Sequence, residues 1–340
     1  MNTRMTRRRF IGITAAVAGT AAVPLLCRRT NVGALPEAAV WQGIALGAGA
    51  EMRLYHSDRR FAENLIGKAV AEISRLEKIF SLYRGDSVLV HLNQTGRLDN
   101  PPADLLAVLS LSRDIHTLTQ GAFDPSIQPL WNAYAAHFSR HPLSESAPTA
   151  AVLEQALASV GFGAVEFDSR TVRFAKSGMA LSFNGIAQGY ITDRITEILR
   201  NAGLVQALVD LGEIRGLDGT RSRIWQAGIR HPDGGDAVLL NVPLQNQALS
   251  TSGGYGTTLD EAGRFTHLFN PLTGTSRPRY RSVSVTMATA ATADALSTAF
   301  SVMDKTSVVA IANRVPHLKA WLFTTEGRLE KVDMNIAVAS

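Results

Sequence analysis

Asp294 and Thr298 put a carboxylate and a hydroxyl four residues apart. The pattern from Thr292 to Met303 predicts a helix, on which those two oxygens share one face. Hard oxygen ligands of this kind suit Mg²⁺. A helix start at Thr292 would add free N–H groups and partial positive charge, which suit phosphate. The same spacing also arises where an aspartate only caps a helix, so the residues by themselves leave both readings open. Just upstream lies a glycine-rich turn, Thr251-Ser252-Gly253-Gly254-Tyr255-Gly256, then His267, then the turn Asn270-Pro271-Leu272-Thr273-Gly274. Alternation over Arg264 to Phe269 predicts a strand presenting His267. A strand histidine either packs structurally or moves a proton.

These residues sit in a chain of 340 residues, 46% hydrophobic and 19% charged, enough for one large domain or two medium ones. Its net charge of +5 comes from one end. Residues 1–34 hold six arginines and no acid; without them 28 basic residues face 29 acidic ones, a net charge of −1. The basic balance is therefore no argument for nucleic acid binding. Arg7-Arg8-Arg9-Phe10-Ile11, followed by an apolar run to Leu26, is the pattern of a twin-arginine export signal. Val32-Gly33-Ala34 offers a cleavage site, so the division is signal 1–34 and mature domain 35–340, with a periplasmic location expected. Cys27 is the sole cysteine. The mature domain thus has no disulfide, thiolate nucleophile or cysteine metal site.

The elements that must position the chemistry follow from periodicity. Trp41 to Tyr55 reads as one interrupted strand. Arg60 to Tyr83 and Pro102 to Gln120 read as amphipathic helices, the second stopped by Gly121. The stretch with His137, Arg140 and His141 reads as a surface loop, and Thr149 to Val160 as a helix. Short strands are expected at 164–167, 171–175 and 179–183, and again at 207–211. A hairpin is expected from 224–230 and 237–244, a strand at 281–287, a helix at 307–314, and a last strand at 318–324 with Trp321 in the core. Asn184 is placed as the N-cap of a helix carrying Ile186, Tyr190, Ile195, Ile198 and Leu199 on its apolar face. Gly185 and Gly189 lower helix propensity there, by roughly 1 kcal/mol for an interior glycine. Another helix or a ligand must therefore approach that backbone closely.

Five pieces, in order, resemble the ApbE family of FAD:protein FMN transferases: F-S-L-Y at Phe80–Tyr83 with D-S and L-N after it; G-A-F-D-P from Gly121; N-G-I-A-Q-G-Y from Asn184; L-G-E at Leu211; and T-S-G-G-Y, H-L-F-N-P-L-T-G and A-D-A-L-S-T towards the end. The resemblance spans about Trp41 to the C-terminus. It implies an α+β fold, with mixed and antiparallel sheets and packed helices in two interlocked lobes around a nucleotide cleft. It also implies cleavage of FAD, transfer of FMN to a threonine hydroxyl of a target protein, and release of AMP. Carried over, Ser81, Tyr83, Phe123, Asp124, Asn184, Gln188, Glu213, Thr251, Ser252, Gly253 and His267 would contact the nucleotide. Mg²⁺ would be held by Asp294, Thr298 and the Ala187 carbonyl. His267 would be the base, with Asp294 as the substitute. Two departures stand out: Gln188 where relatives carry lysine, and Asn270 where they carry aspartate. F-N-G-I-A-Q-G-Y and V-D-L-G-E-I-R look like a NosX-like branch, whose target is a NosR-type respiratory membrane flavoprotein. The competing readings are an FAD pyrophosphatase and a non-catalytic FAD-binding protein.

Overall fold

The first strand-like stretch breaks in two. Leu46 and Gly47 take φ of 47° and 84°, the pair of positive values that a two-residue hairpin turn requires. The single strand expected over 41–55 is therefore the hairpin β1 (Ala38–Ala45) and β2 (Ala48–Tyr55), with Ala45 opposite Ala48. In the computed structural model, residues 36–234 and 237–333 are described; the expected export signal, Cys27 and the cleavage site lie outside them.

Helix α1 (Arg59–Phe80) starts where the Asp58 side chain accepts from the Phe61 N–H, and it buries Leu65, Ala69, Ile73, Leu76 and Ile79. Then come α2 (Val88–Thr95), β3 (Arg97–Asp99) and α3 (Ala103–Leu118). Gln120 and Gly121 end the last of these at φ 52° and 85°. The stretch read as a loop is partly helix: α4 (Gln128–Arg140) contains His137 and Arg140. His137 is not a free surface group, because its ring bonds Ser144 Oγ (3.2 Å) and the Ser146 carbonyl (3.0 Å). Helix α5 (Ala150–Ala158) leads to β4 (Val165–Phe167) and β5 (Thr171–Phe174), which β3 completes into a three-stranded sheet of order β3-β5-β4. The strand expected at 179–183 does not form. The Asn93 amide takes its backbone bonds instead, pairing with both the N–H and the carbonyl of Leu181 at 2.7 and 2.8 Å.

The rest of the chain is α6 (Ala187–Asn201), β6 (Gln206–Asp210), β7 (Ile214–Asp218), the hairpin β8 (Trp225–Arg230) and β9 (Val238–Leu244), β10 (Ala248–Gly253), β11 (Tyr280–Met287), α7 (Ala290–Phe300), α8 (Lys305–Ala312), β12 (Lys319–Thr324) and β13 (Leu329–Asp333). The fold is α+β. Eight strands run β1-β2-β6-β7-β10-β11-β12-β13, and every pairing among the described strands is antiparallel.

Side-chain alternation gives this sheet two buried faces. Ala207 and Val209 of β6, and Ala320 and Leu322 of β12, point to the main core with α1, α6 and α7. Their neighbours Leu208 and Trp321 point the other way, with Leu249, into a second cluster under the β8–β9 hairpin around Trp225. A third cluster joins α4 to the later chain: Leu130, Tyr134 and Phe138 pack against Leu259, Phe265 and Phe269. The Tyr134 hydroxyl donates to the Gly274 carbonyl at 3.0 Å.

The contact that positions the chemistry is the crossing of α6 on α7. Gly189 sits so close that a Cβ there would lie 2.4 Å from the Ala290 carbonyl oxygen and 2.6 Å from Ala291 Cα. The partner required at this glycine is therefore a helix. Asp193, one turn further along α6, closes the contact. Its two carboxylate oxygens accept the N–H groups of Ala290 and Ala291 at 2.8 and 2.9 Å, while the α7 N-cap residue Thr289 makes no side-chain cap bond. The Arg215 guanidinium of β7 pairs with the same carboxylate. Asp193 is thus the α7 cap, supplied from another helix.

Two changes test this seat. Gly189→Ala gains about 1 kcal/mol of helix propensity but forces atoms into backbone that cannot yield, a loss of up to about 3 kcal/mol. Urea unfolding should show a net loss; unchanged or raised stability would mean the helices do not meet as described. Asp193→Ala strands Arg215 and two N–H groups and should lower unfolding free energy by roughly 3 kcal/mol. A loss below about 1 kcal/mol would show the cap to be dispensable.

Candidate functional site

Helix α7 carries the carboxylate and hydroxyl that the spacing singled out, and they do share a face. Asp294 is buried at 4% exposure. Its Oδ2 accepts the Gly189 N–H at 3.1 Å, and no ion pair reaches it among the described residues. Thr298, half-buried one turn on, leans on Gly185, where a Cβ would lie 2.7 Å from its hydroxyl oxygen. Ser252 of β10 approaches from the sheet, with its Oγ 2.7 Å from Ser297 Oγ and 3.3 Å from Thr298 Oγ1. Ala187, buried, is the first residue of α6 and comes just after Gly185. The two glycines and the serine therefore gather Ala187, Ser252, Asp294 and Thr298 where α6, α7 and β10 meet.

Burial governs the electrostatics. Loss of solvent pushes the Asp294 carboxyl up to about 7, against the pull of the Gly189 N–H and with a further push from the Asp193 charge. Glu213, in the turn between β6 and β7, is 5% exposed. Burial drives its carboxyl well above the ordinary range, and the Asp294 charge adds to this. Asp210 rises to about 6, again chiefly through burial. A buried carboxylate needs a proton, a cationic side chain or a metal ion. Among the described residues no three His, Cys, Asp or Glu side chains gather as a metal cluster. The side-chain donors at hand are a carboxylate and hydroxyls, hard oxygens that fit Mg²⁺ rather than a soft metal.

Several expected positions move. Helix α7 begins at Ala290, not Thr292, and its first two N–H groups are already held by Asp193. That N-terminus therefore does not present them to a phosphate. Asn184 is exposed and caps nothing; the position before α6 is Ile186, without a side-chain cap bond. Gln188 lies against the Gly212 backbone, where a Cβ would be 2.7 Å from its side-chain nitrogen. Thr251 bonds Ser284 Oγ at 2.8 Å across the strand pair, and Gly253 makes room for the Tyr255 ring.

His267 lies in a loop fixed by one isolated bridge, Thr258 to Thr266, rather than in a strand. Its N–H and its Nδ1 both lie 3.1 Å from the Thr257 carbonyl. A carbonyl only accepts, so Nδ1 carries the proton and Nε2 keeps its lone pair. Burial pulls the ring below its ordinary value of 6.5, which favours the neutral form. No hydrogen bond or ion pair joins His267 to Asp294 among the described residues.

The earlier motifs are spent on structure. Ser81 caps the end of α1 and its Oγ accepts the Tyr83 N–H at 3.1 Å, with the Tyr83 ring exposed. Phe123 is core. Asp124 is buried and accepts from Ser126 N–H, Ser126 Oγ and Phe162 N–H at 2.7, 2.6 and 3.0 Å. It also lines a groove of about 420 Å³ with His116, Gln120, Leu157, Pro271 and Leu272, to which none of the Asp294 group contributes. Asn270 shapes its own turn by accepting the N–H groups of Leu272 and Thr273 at 2.9 and 3.3 Å. An aspartate would do the same, so asparagine meets the turn requirement. Sequence reasoning missed Asp193, and no local pattern around α7 points to a cap from another helix.

The chain is similar to known proteins along most of its length. The model of the ApbE family matches residues 46–322. A FAD:protein FMN transferase of Haemophilus influenzae is 29% identical over 247 residues, covering 69% of this chain and 71% of its own. One of Treponema pallidum is 28% identical over 313 residues and covers 84% of each. Among solved structures, the ApbE protein of Thermotoga maritima is 25% identical with a TM-score of 0.76, covering 87% of this chain and 97% of its own. The apo flavinyl transferase ApbE of Pseudomonas stutzeri shares the fold at 23% identity and a TM-score of 0.73, covering 89% and 97%. With its matched span running from the first hairpin to β12, the chain belongs to the ApbE family.

Proposed function

We propose that this protein transfers FMN from FAD to a threonine hydroxyl of a target protein and releases AMP. The observation that carries the reading is Asp294: a buried carboxylate without a cationic side-chain partner among the described residues, one turn from Thr298, in a chain whose relatives are named for this reaction. Asp294, Thr298 and the Ala187 carbonyl would hold Mg²⁺, which when bound neutralises charge on the pyrophosphate.

In the transfer, the threonine oxygen attacks the phosphorus that bears the riboflavin. The bond from that phosphorus to the bridging oxygen breaks, and AMP leaves with the bridging oxygen. The threonine proton goes to His267 Nε2, whose lone pair is free because the Thr257 carbonyl holds the other nitrogen's proton. Water in place of threonine would give FMN and AMP, so the acceptor's fit decides between transferase and pyrophosphatase. The twin-arginine pattern supports action outside the cytoplasm, and the NosX-like motifs support a NosR-type respiratory membrane flavoprotein as target.

The test is one incubation with FAD, Mg²⁺ and a threonine-bearing flavin-acceptor domain, read as ultraviolet fluorescence of the acceptor on a denaturing gel together with AMP. A fluorescent acceptor with matching AMP is expected. AMP without labelled acceptor would favour the pyrophosphatase, and intact bound FAD a binding protein. The depressed His267 pKa sets the pH dependence. The neutral base is lost only as pH falls, so the acid limb of the transfer rate should have its midpoint below 6.5. His267→Ala should lower turnover by about 10²-fold or more and remove that limb. Unchanged turnover with saturating FAD and acceptor would rule His267 out as the base.

A further inference from the structure

We propose that Glu213 is a ligand of the same cation site as Asp294, facing it from the sheet side. The inference rests on the reading of Asp294 as a cation ligand and adds a second carboxylate to it. Glu213 is 5% exposed, and its Oε2 has no hydrogen-bond partner. A charged oxygen buried without a partner is rare in a folded protein and marks either strain or a missing ion.

The surrounding backbone fixes where this side chain starts. Gly212, at φ 98°, donates its N–H to Asp210 Oδ1 at 3.2 Å. The Glu213 carbonyl accepts the Leu211 N–H at 3.3 Å and the Thr192 hydroxyl at 3.4 Å. Ser250 and the Thr251 N–H lie near the carboxyl and favour its charged form. Ser250 Oγ donates to the Ala290 carbonyl, at the first residue of α7, at 3.4 Å. Asp294 stands one turn along that helix, held by the Gly189 N–H. Glu213, from the turn between β6 and β7, thus lies beside Ser250, which reaches the first residue of α7, and within reach of the Asp294 charge. Neither carboxylate has a basic side chain paired to it among the described residues. A hard divalent cation between them removes the like-charge conflict and gives Oε2 its missing partner. Thr298 and the Ala187 carbonyl complete a set of oxygen donors.

The probe is Mn²⁺ alone, without FAD, titrated into the full chain and followed by the electron paramagnetic resonance of the free ion. The wild type should bind, and Asp294→Asn should abolish binding. Glu213→Gln should weaken binding by about tenfold or more, with a matching loss of the Mn²⁺-induced rise in melting temperature. Glu213→Asp keeps the charge but withdraws the oxygen by one methylene; it should also bind more weakly, and it serves should the glutamine variant not fold. Wild-type affinity in both Glu213 variants would overturn the proposal while leaving the Asp294 reading intact. Loss of binding in the Glu213 variants with normal binding in Asp294→Asn would overturn the Asp294 reading and with it the shared site. A wild type that binds no Mn²⁺ contradicts both.

Discussion

Everything at this site depends on how closely α6 can approach α7. Gly189 brings the α6 backbone against the Ala290–Ala291 backbone, and Asp193 binds the two N–H groups exposed there. A side chain at 189 would separate the helices, and without Asp193 the start of α7 would have no cap. The same contact lets the Gly189 N–H reach Asp294. Packing, capping and carboxylate placement are thus one event. Arg215 ties it to β7, so the eight-stranded sheet also registers on it.

The energetic logic is an exchange. Burying Asp294 and Glu213 without basic partners among the described residues works against folding, and burial raises both carboxyls, with the Asp193 charge adding at Asp294 and the Asp294 charge at Glu213. Ordinary core packing around α1, α6 and α7 supplies the stability that sustains it. Sites that hold hard cations are built in this way: the fold supplies negative charge in a place water does not reach, and the ion resolves it. His267 is arranged on a different principle. It sits in a loop, and one carbonyl sets its tautomer. Its position depends on the third cluster, where Phe265 and Phe269 on either side of it pack against α4.

Much of this was legible in the chain. The Asp294–Thr298 spacing, the amphipathic period of α1 and α6, and the close approach implied by Gly185 and Gly189 all read directly. The placing of Trp321 in the core did too, while the α+β class came with the family resemblance. Other features were hidden for physical reasons. The hairpin turn at Leu46–Gly47 puts a leucine at positive φ, which local rules disfavour. The apparent strand at 179–183 has strand-like residues, but Asn93, distant in sequence, takes the Leu181 backbone groups. Helix α4 runs through histidines and a serine that look like loop. The start of α7 was misplaced by two residues because its cap comes from Asp193, about a hundred positions earlier, and no local pattern encodes that.

The most direct measurement is the anomalous diffraction of Mn²⁺ in a crystal of this protein soaked with Mn²⁺ and FAD. The account predicts a peak within bonding distance of an Asp294 carboxylate oxygen and Thr298 Oγ1, with the pyrophosphate beside it and the α7 N–H groups of Ala290 and Ala291 still on Asp193. Metal and pyrophosphate bound elsewhere, with the Asp294 carboxylate touching neither, would contradict it.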